Sequence, residues 1–318
     1  MEQQPREWQI LEKVALESFR EQRRSRRWGI FFKLLTFAYL FLAIALISSN
    51  SDNLGTQAVD KASDHTALVR LHGPIMDDEE ASAGMVIAGL RDAFENKHSK
   101  AVILAVNSPG GSPVHAGYVY DEIVRLRNKY PEKKLYAVIS DLGASAAYYI
   151  ASAADEIYAD KASLVGSIGV ISAGFGFTGA MEKLGIERRV LTAGENKAFL
   201  DPYQPWKESD KLFWHEALDI IHNQFISEVR QGRGDRLKED EDIFTGLIWT
   251  GEQALEKGLI DGLGSASFVA REVVGAENIV DYSMRPHPFD EFAKKLGLAA
   301  SAGIMQQLKS EQMAPQLQ

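Results

Sequence analysis

Apolar runs rich in β-branched residues alternate with helix-like stretches through the first half of this chain, and no other feature restricts its fold so strongly. Residues 67–71, 101–106, 135–140 and 156–159 read as strands, and residues 83–95 and 118–128 as helices. Elements in this order build right-handed βαβ units around a mostly parallel sheet, an α/β fold with flanking helices. Ligands of such sheets gather at the carboxyl ends of the strands. Two segments expected there carry chemistry.

The first is Gly143-Ala144-Ser145-Ala146-Ala147-Tyr148-Tyr149-Ile150, where small and apolar residues surround one hydroxyl just after a strand. A serine at a strand-to-helix junction is held by packed backbone, and the amide of Ala146 would be one of the unpaired donors of the helix start. The second is Asn107-Ser108-Pro109-Gly110-Gly111-Ser112, whose paired glycines let backbone approach a ligand closely. Together, Gly110, Gly111 and Ala146 could form an oxyanion hole for a nucleophilic Ser145.

A third feature bears on location. Residues 28–47 contain one charge, Lys33, and about 20 residues of helix span about 30 Å, the thickness of a bilayer core. Arg20, Arg23, Arg24, Arg26 and Arg27 precede the run, while Asp52, Asp60 and Asp64 follow it, which places the N-terminus in the cytoplasm and the rest of the chain on the far side. The 27 residues before it are long for the n-region of a signal peptide, so an uncleaved single-pass anchor in the cytoplasmic membrane is expected. The resulting organisation is a cytoplasmic tail (1–27), a transmembrane helix contacting lipid (28–48), a linker (49–65), an α/β domain (66–282) and a C-terminal helix and tail (283–318). The net charge of −9 argues against nucleic acid as partner, and with no cysteine the chain has neither disulfides nor a thiolate nucleophile.

Within residues 211–230, Phe213, Trp214, Ala217, Ile220, Ile221, Phe225 and Val229 fall at helical spacing and read as core packing. Residues 251–258 read as a short helix ended by glycine, with Leu259-Ile260-Asp261 starting a last strand. Arg233-Gly234-Asp235 reads as a helix terminator rather than an adhesion motif.

A nucleophilic serine needs a base. Of the seven histidines, His115 alone lies near a candidate loop, and His215 and His222 lack a third ligand or acidic partner, so neither a metal nor another cofactor is expected. Lys197, in Gly194-Glu195-Asn196-Lys197-Ala198, is flanked by small residues, yet a loop lysine is ordinarily a solvated charge.

The chain resembles the signal peptide peptidase A (SppA) family in its short, single-domain, membrane-anchored form, with SohB-type peptidases as close relatives. The resemblance runs from about Leu68 to Gly264. It rests on Val69-Arg70-Leu71-His72-Gly73-Pro74-Ile75, the Asn107–Ser112 and Ser145–Ile150 segments, Gly166-Ser167-Ile168-Gly169-Val170, Lys197, and Gly251-Glu252-Gln253-Ala254 leading to Gly258-Leu259-Ile260-Asp261. It implies a ClpP/crotonase-like fold and a serine peptidase with Ser145 as nucleophile, Lys197 as general base and Ser167 as an auxiliary serine holding the lysine. It also implies peptide substrates with small or apolar residues, such as remnant signal peptides, and a homo-oligomer in which serine and lysine come from adjacent subunits. Ala146-Ala147, Pro113-Val114-His115 and Leu247 depart from the common pattern, which bears on specificity more than on chemistry. A SohB-type protease with another target, an acyl-CoA enzyme of the crotonase kind and a non-catalytic membrane scaffold are the competing readings. A free lysine titrates near 10.4, so the dyad requires a site dry enough to strip that proton.

Overall fold

The structure, a computed structural model, describes residues 23, 24, 26–42, 61–77, 79–238 and 240–284. The chain divides into two compact units, residues 1–58 with 288–318 and residues 59–287. In the first unit residues 26–42 form helix α1, whose side chains are all exposed. Trp28, Phe31 and Phe32 cluster on it, with ring centroids 5.7 to 5.8 Å apart. No helix among the described residues is long and apolar enough to cross a membrane. Residues 43–48 of the expected span 28–48 lie outside the described residues, as do nearly all of the tail 1–27, the linker through residue 60, and residues 285–318.

The second unit follows the expected alternation: β1 (His65–His72), α2 (Ala83–Glu95), β2 (Ser99–Ser108), α3 (Pro113–Lys129), β3 (Leu135–Ala144), α4 (Ala146–Ser152), β4 (Glu156–Ala159) and β5 (Leu164–Gly166). After these come α5 (Thr178–Leu184), α6 (Glu208–Arg233), β6 (Ile248–Thr250), α7 (Gly251–Glu256), β7 (Gly262–Leu263), α8 (Ala266–Phe268, continued as a wider π-type turn to Val274) and β8 (Ile279–Asp281). The sheet runs β6-β5-β3-β2-β1-β8, parallel except for the β5–β6 pair. A sheet of this kind is covered on both faces, which is why its strands are nearly continuous apolar runs. One face packs Val69, Leu71, Leu104, Val106 and Ile139 under α2, α3 and α4; the other packs Leu68, Ile103, Tyr136 and Val138 against Val269 and Ala270.

Strand β3 is the element on which the site depends. Its first half, Tyr136 to Ile139, pairs with β4, and its last residues, Leu142 to Ala144, pair with β5. The sheet therefore forks: β4 leads on to β7, and β5 to the antiparallel β6. Helix α3 starts at Pro113, five residues before the expected start at 118, because Ser112 caps it by accepting the His115 amide (3.4 Å) and proline suits the first helical position.

The β4–β7 branch is fastened from below. Arg233, at the end of α6, has a fully buried side chain that grips Asp261 with two bonds of 2.7 and 2.8 Å. Asp261 also accepts the Ile157 amide at 2.7 Å and the Arg236 guanidinium at 3.2 Å. Burial pushes the Asp261 carboxyl up, but the Arg233 guanidinium outweighs it and holds the group below the ordinary carboxylate range. Leu259 and Ile260 are buried and the Asp261 side chain is engaged in this way, so the three do not begin a strand, and β7 starts at Gly262, three residues later than the sequence pattern implies. Gly234, at φ 53°, ends α6, so Arg233-Gly234-Asp235 is indeed a terminator whose arginine is inaccessible.

Candidate active site

Strand β3 delivers its chain end to Ser145, and α4 begins one residue later. Ser145 adopts φ 55° and ψ −128°, a conformation that costs a side-chain-bearing residue about 1–3 kcal/mol and is kept where surrounding bonds impose it. Here its amide donates to Gly166 O (2.8 Å) on β5, and its carbonyl accepts the Tyr149 amide (3.0 Å) in α4. A serine on a strained strand-to-helix turn exposes its hydroxyl above the sheet, the arrangement of a nucleophile elbow.

The glycine loop closes over this turn. A methyl group on Gly110 would lie 2.8 Å from Ser145 Cβ and 2.9 Å from the Ala146 amide nitrogen, so only glycine permits the approach. Gly111 is bridged to Ile75, whose amide donates to Gly110 O (2.9 Å) and whose carbonyl accepts the Ser112 amide (2.8 Å). The amide of Gly110 is spent on Ser108 Oγ (3.1 Å). Those of Gly111 and Ala146 donate to no protein acceptor among the described residues, which leaves two free N–H groups beside Ser145. Gly110 thus contributes close packing, and the available donors are Gly111 and Ala146.

Ser167 is the second hydroxyl at this rim. It follows Gly166, lies at φ 50° and donates its amide to Leu247 O (2.8 Å) across the β5–β6 pair. Two of the three non-glycine residues of positive φ among those described are therefore Ser145 and Ser167. Beside Ser145 is a pocket of ≈ 120 Å³ lined by Gly111, Pro113, Ser145, Ala146, Tyr149, Gly169, Val170, Ile171, Ile221, Gln224 and Phe225; Ser167 does not line it. None of these side chains is charged, and burial pushes the Tyr149 phenol up to about 12, so it stays neutral at working pH.

Lys197 is not brought into that pocket. It is exposed on the chain between α5 and α6 and does not line the Ser145 pocket. The segment that carries it, residues 171–207, is mostly exposed despite large apolar side chains; Ile171, Phe175 and Leu191 are 86%, 82% and 102% exposed. Helix α6 corrects a second expectation. Of the stripe read as packing, Phe225 and Val229 are buried, Ile221 and Phe225 wall the Ser145 pocket, and Phe213 and Ile220 are exposed at 64% and 55%. His115 lies beside Asp77, with Nε2 3.4 Å from the carboxylate.

The antiparallel β5–β6 pair and the pocket walls on α6 are the parts of the site that the sequence reading missed. A three-residue strand gives almost no periodic signal. The α6 stripe was a signal, but periodicity cannot tell a core face from a pocket wall.

The chain is similar to a peptidase family, to named proteases and to part of one protein named as an antiporter. The model of Peptidase family S49 matches residues 127–279, which include Ser145, Ser167 and Lys197 and begin after the Gly110-Gly111 loop. A putative protease of Synechocystis sp. is 31% identical over 189 residues, 57% of this chain and 67% of that protein. A putative signal peptide peptidase SppA of Enterococcus faecium is 31% identical over 176 residues, 55% of this chain and 50% of its own length. A protein of Brucella abortus named as a Na(+)/H(+) antiporter is 44% identical over 214 residues, 65% of this chain. The alignment spans only 29% of that antiporter.

Proposed function

This chain belongs to peptidase family S49, and from that premise we propose that it is a membrane-anchored serine endopeptidase using Ser145 as nucleophile and Lys197 as general base. The strained Ser145 turn, set against Gly110 and flanked by the free amides of Gly111 and Ala146, is the observation that carries the proposal. Neutral Lys197 Nζ takes the Ser145 hydroxyl proton as Oγ bonds to the scissile carbonyl carbon, and the developing oxyanion accepts hydrogen bonds from the two amides. The lysine returns the proton to the leaving amine, an ester to Ser145 remains, and a water deprotonated by Lys197 hydrolyses it. Ser167 steadies the lysine.

Several features support the finer points. A pocket with no charged wall suits a small or apolar side chain, the kind that remnant signal peptides offer. The exposed apolar side chains of helix α1 from Trp28 to Leu42, interrupted only by Lys33 among charged residues, support a lipid anchor over residues 28–48, with the N-terminus cytoplasmic and the Ser145 domain on the outer side. An exposed Lys197 on an apolar, exposed segment supports completion of each site by an adjacent copy, whose contact would bury the amine and favour its neutral form.

Active-site labelling with a serine-reactive phosphonate, read by mass spectrometry, tests the proposal. Wild type should be modified on Ser145, Ser145→Ala should not be modified, and Lys197→Ala should react far more slowly; modification elsewhere would refute it.

A further inference from the structure

Helix α6 does more than wall the pocket. His222 Nε2 lies 3.1 Å from the carbonyl oxygen of Ile168, 54 positions earlier in the chain. A carbonyl can only accept, so the ring carries its proton on Nε2 and donates it. Ile168 is fully buried and sits between Ser167 and the Gly169-Val170 stretch that forms one wall of the Ser145 pocket. On the same helix, Ile221 and Phe225 form the facing wall. One hydrogen bond therefore joins the two walls one residue away from Ser167, which lies in a strained conformation and donates its amide to Leu247 O.

We infer that His222 is a positioning residue: its Nε2–H, donated to Ile168 O, fixes residues 167–170 against α6 and so sets both the place of the Ser167 hydroxyl and the width of the substrate pocket. Losing the donor leaves a buried carbonyl unpaired, and the segment recovers by turning that carbonyl toward water, which displaces Ser167 and Gly169 together. The inference rests on the peptidase reading of Ser145.

The test uses the full chain in detergent, comparing wild type, His222→Gln, whose amide can still donate, with His222→Leu and His222→Asn, which cannot donate or cannot reach. Kinetics are measured on a peptide with an apolar residue before the scissile bond, beside the rate of Ser145 modification by a small phosphonate. For the Leu and Asn variants kcat/KM should fall about tenfold or more, with the thermal midpoint held near wild type, while Gln stays within about threefold. Should Leu fail to fold, the contrast between Gln and Asn gives the same reading. Wild-type kinetics in the Asn or Leu variant, or equal damage from Gln, would overturn the inference. A wild type that neither labels at Ser145 nor cleaves would overturn the peptidase reading instead.

Discussion

Ser145 and Gly110 are matched at the level of single atoms. The strained serine turn leaves no room for a side chain above it, and a methyl on Gly110 would press on Ser145 Cβ, Ala144 O and the Ala146 nitrogen at once. Gly110→Ala should therefore reduce phosphonate labelling of Ser145 by about 100-fold, the scale of losing an oxyanion donor, with the circular dichroism spectrum retained. At the other end of the domain, Arg233 and Asp261 carry stability. Removing the buried guanidinium leaves the Asp261 carboxylate with only the partly exposed Arg236 as counter-charge, so Arg233→Met should cost about 2–3 kcal/mol in urea unfolding. Asp261 titrates below the ordinary carboxylate range, so its stabilisation is present at neutral pH and is lost as pH falls through that lowered value.

Among the elements, α2 and α3 are tied by Glu122, whose nearly buried carboxylate binds Arg125 and Arg91, each at 2.6 Å. The Arg125 guanidinium, with Arg91 helping against the cost of burial, holds Glu122 down to about 2. That contribution is complete above the unfolded value near 4.5 and disappears as pH drops toward 2. Glu122→Gln should lower stability by about 1–2 kcal/mol at pH 7, a figure reduced for screening at the two half-exposed guanidiniums, and the gap to wild type should close by pH 2. The boundaries of α2 were legible in the sequence because Val86, Leu90, Ala93 and Phe94 mark one helical face. The α3 start was missed where a cap, Ser112 followed by Pro113, outweighs periodicity, and β5, β6 and β8 were missed because strands of three residues are defined by their partners. The candidate nucleophile and glycine loop were legible because both depend on small residues at strand ends. The place of Lys197 was not, since a loop lysine between two glutamate-containing segments has no local signature, and its surroundings in the single chain are solvent.

At the scale of the whole molecule, the exposed Lys197 and the large apolar side chains around it that stay exposed among the described residues belong together. Ser145→Ala and Lys197→Ala chains, each inactive, should regain activity when mixed and reassembled, as read by peptide cleavage; oligomers that form but stay inert would exclude a site shared between copies. Leu191→Glu with Ile171→Glu should lower the sedimentation coefficient and the activity together, since both side chains are exposed at the segment that bears Lys197. The forked sheet gives its two limbs unequal footing. One is riveted by the Arg233 clasp, while the other hangs from a three-residue ladder whose outer strand has no further strand beside it among the described residues. Deuterium should enter at Val165 and Trp249 well before Ala137 and Val138. The rim beside Ser145 that hangs on the yielding limb can therefore open locally, while the foundation beneath it keeps its shape.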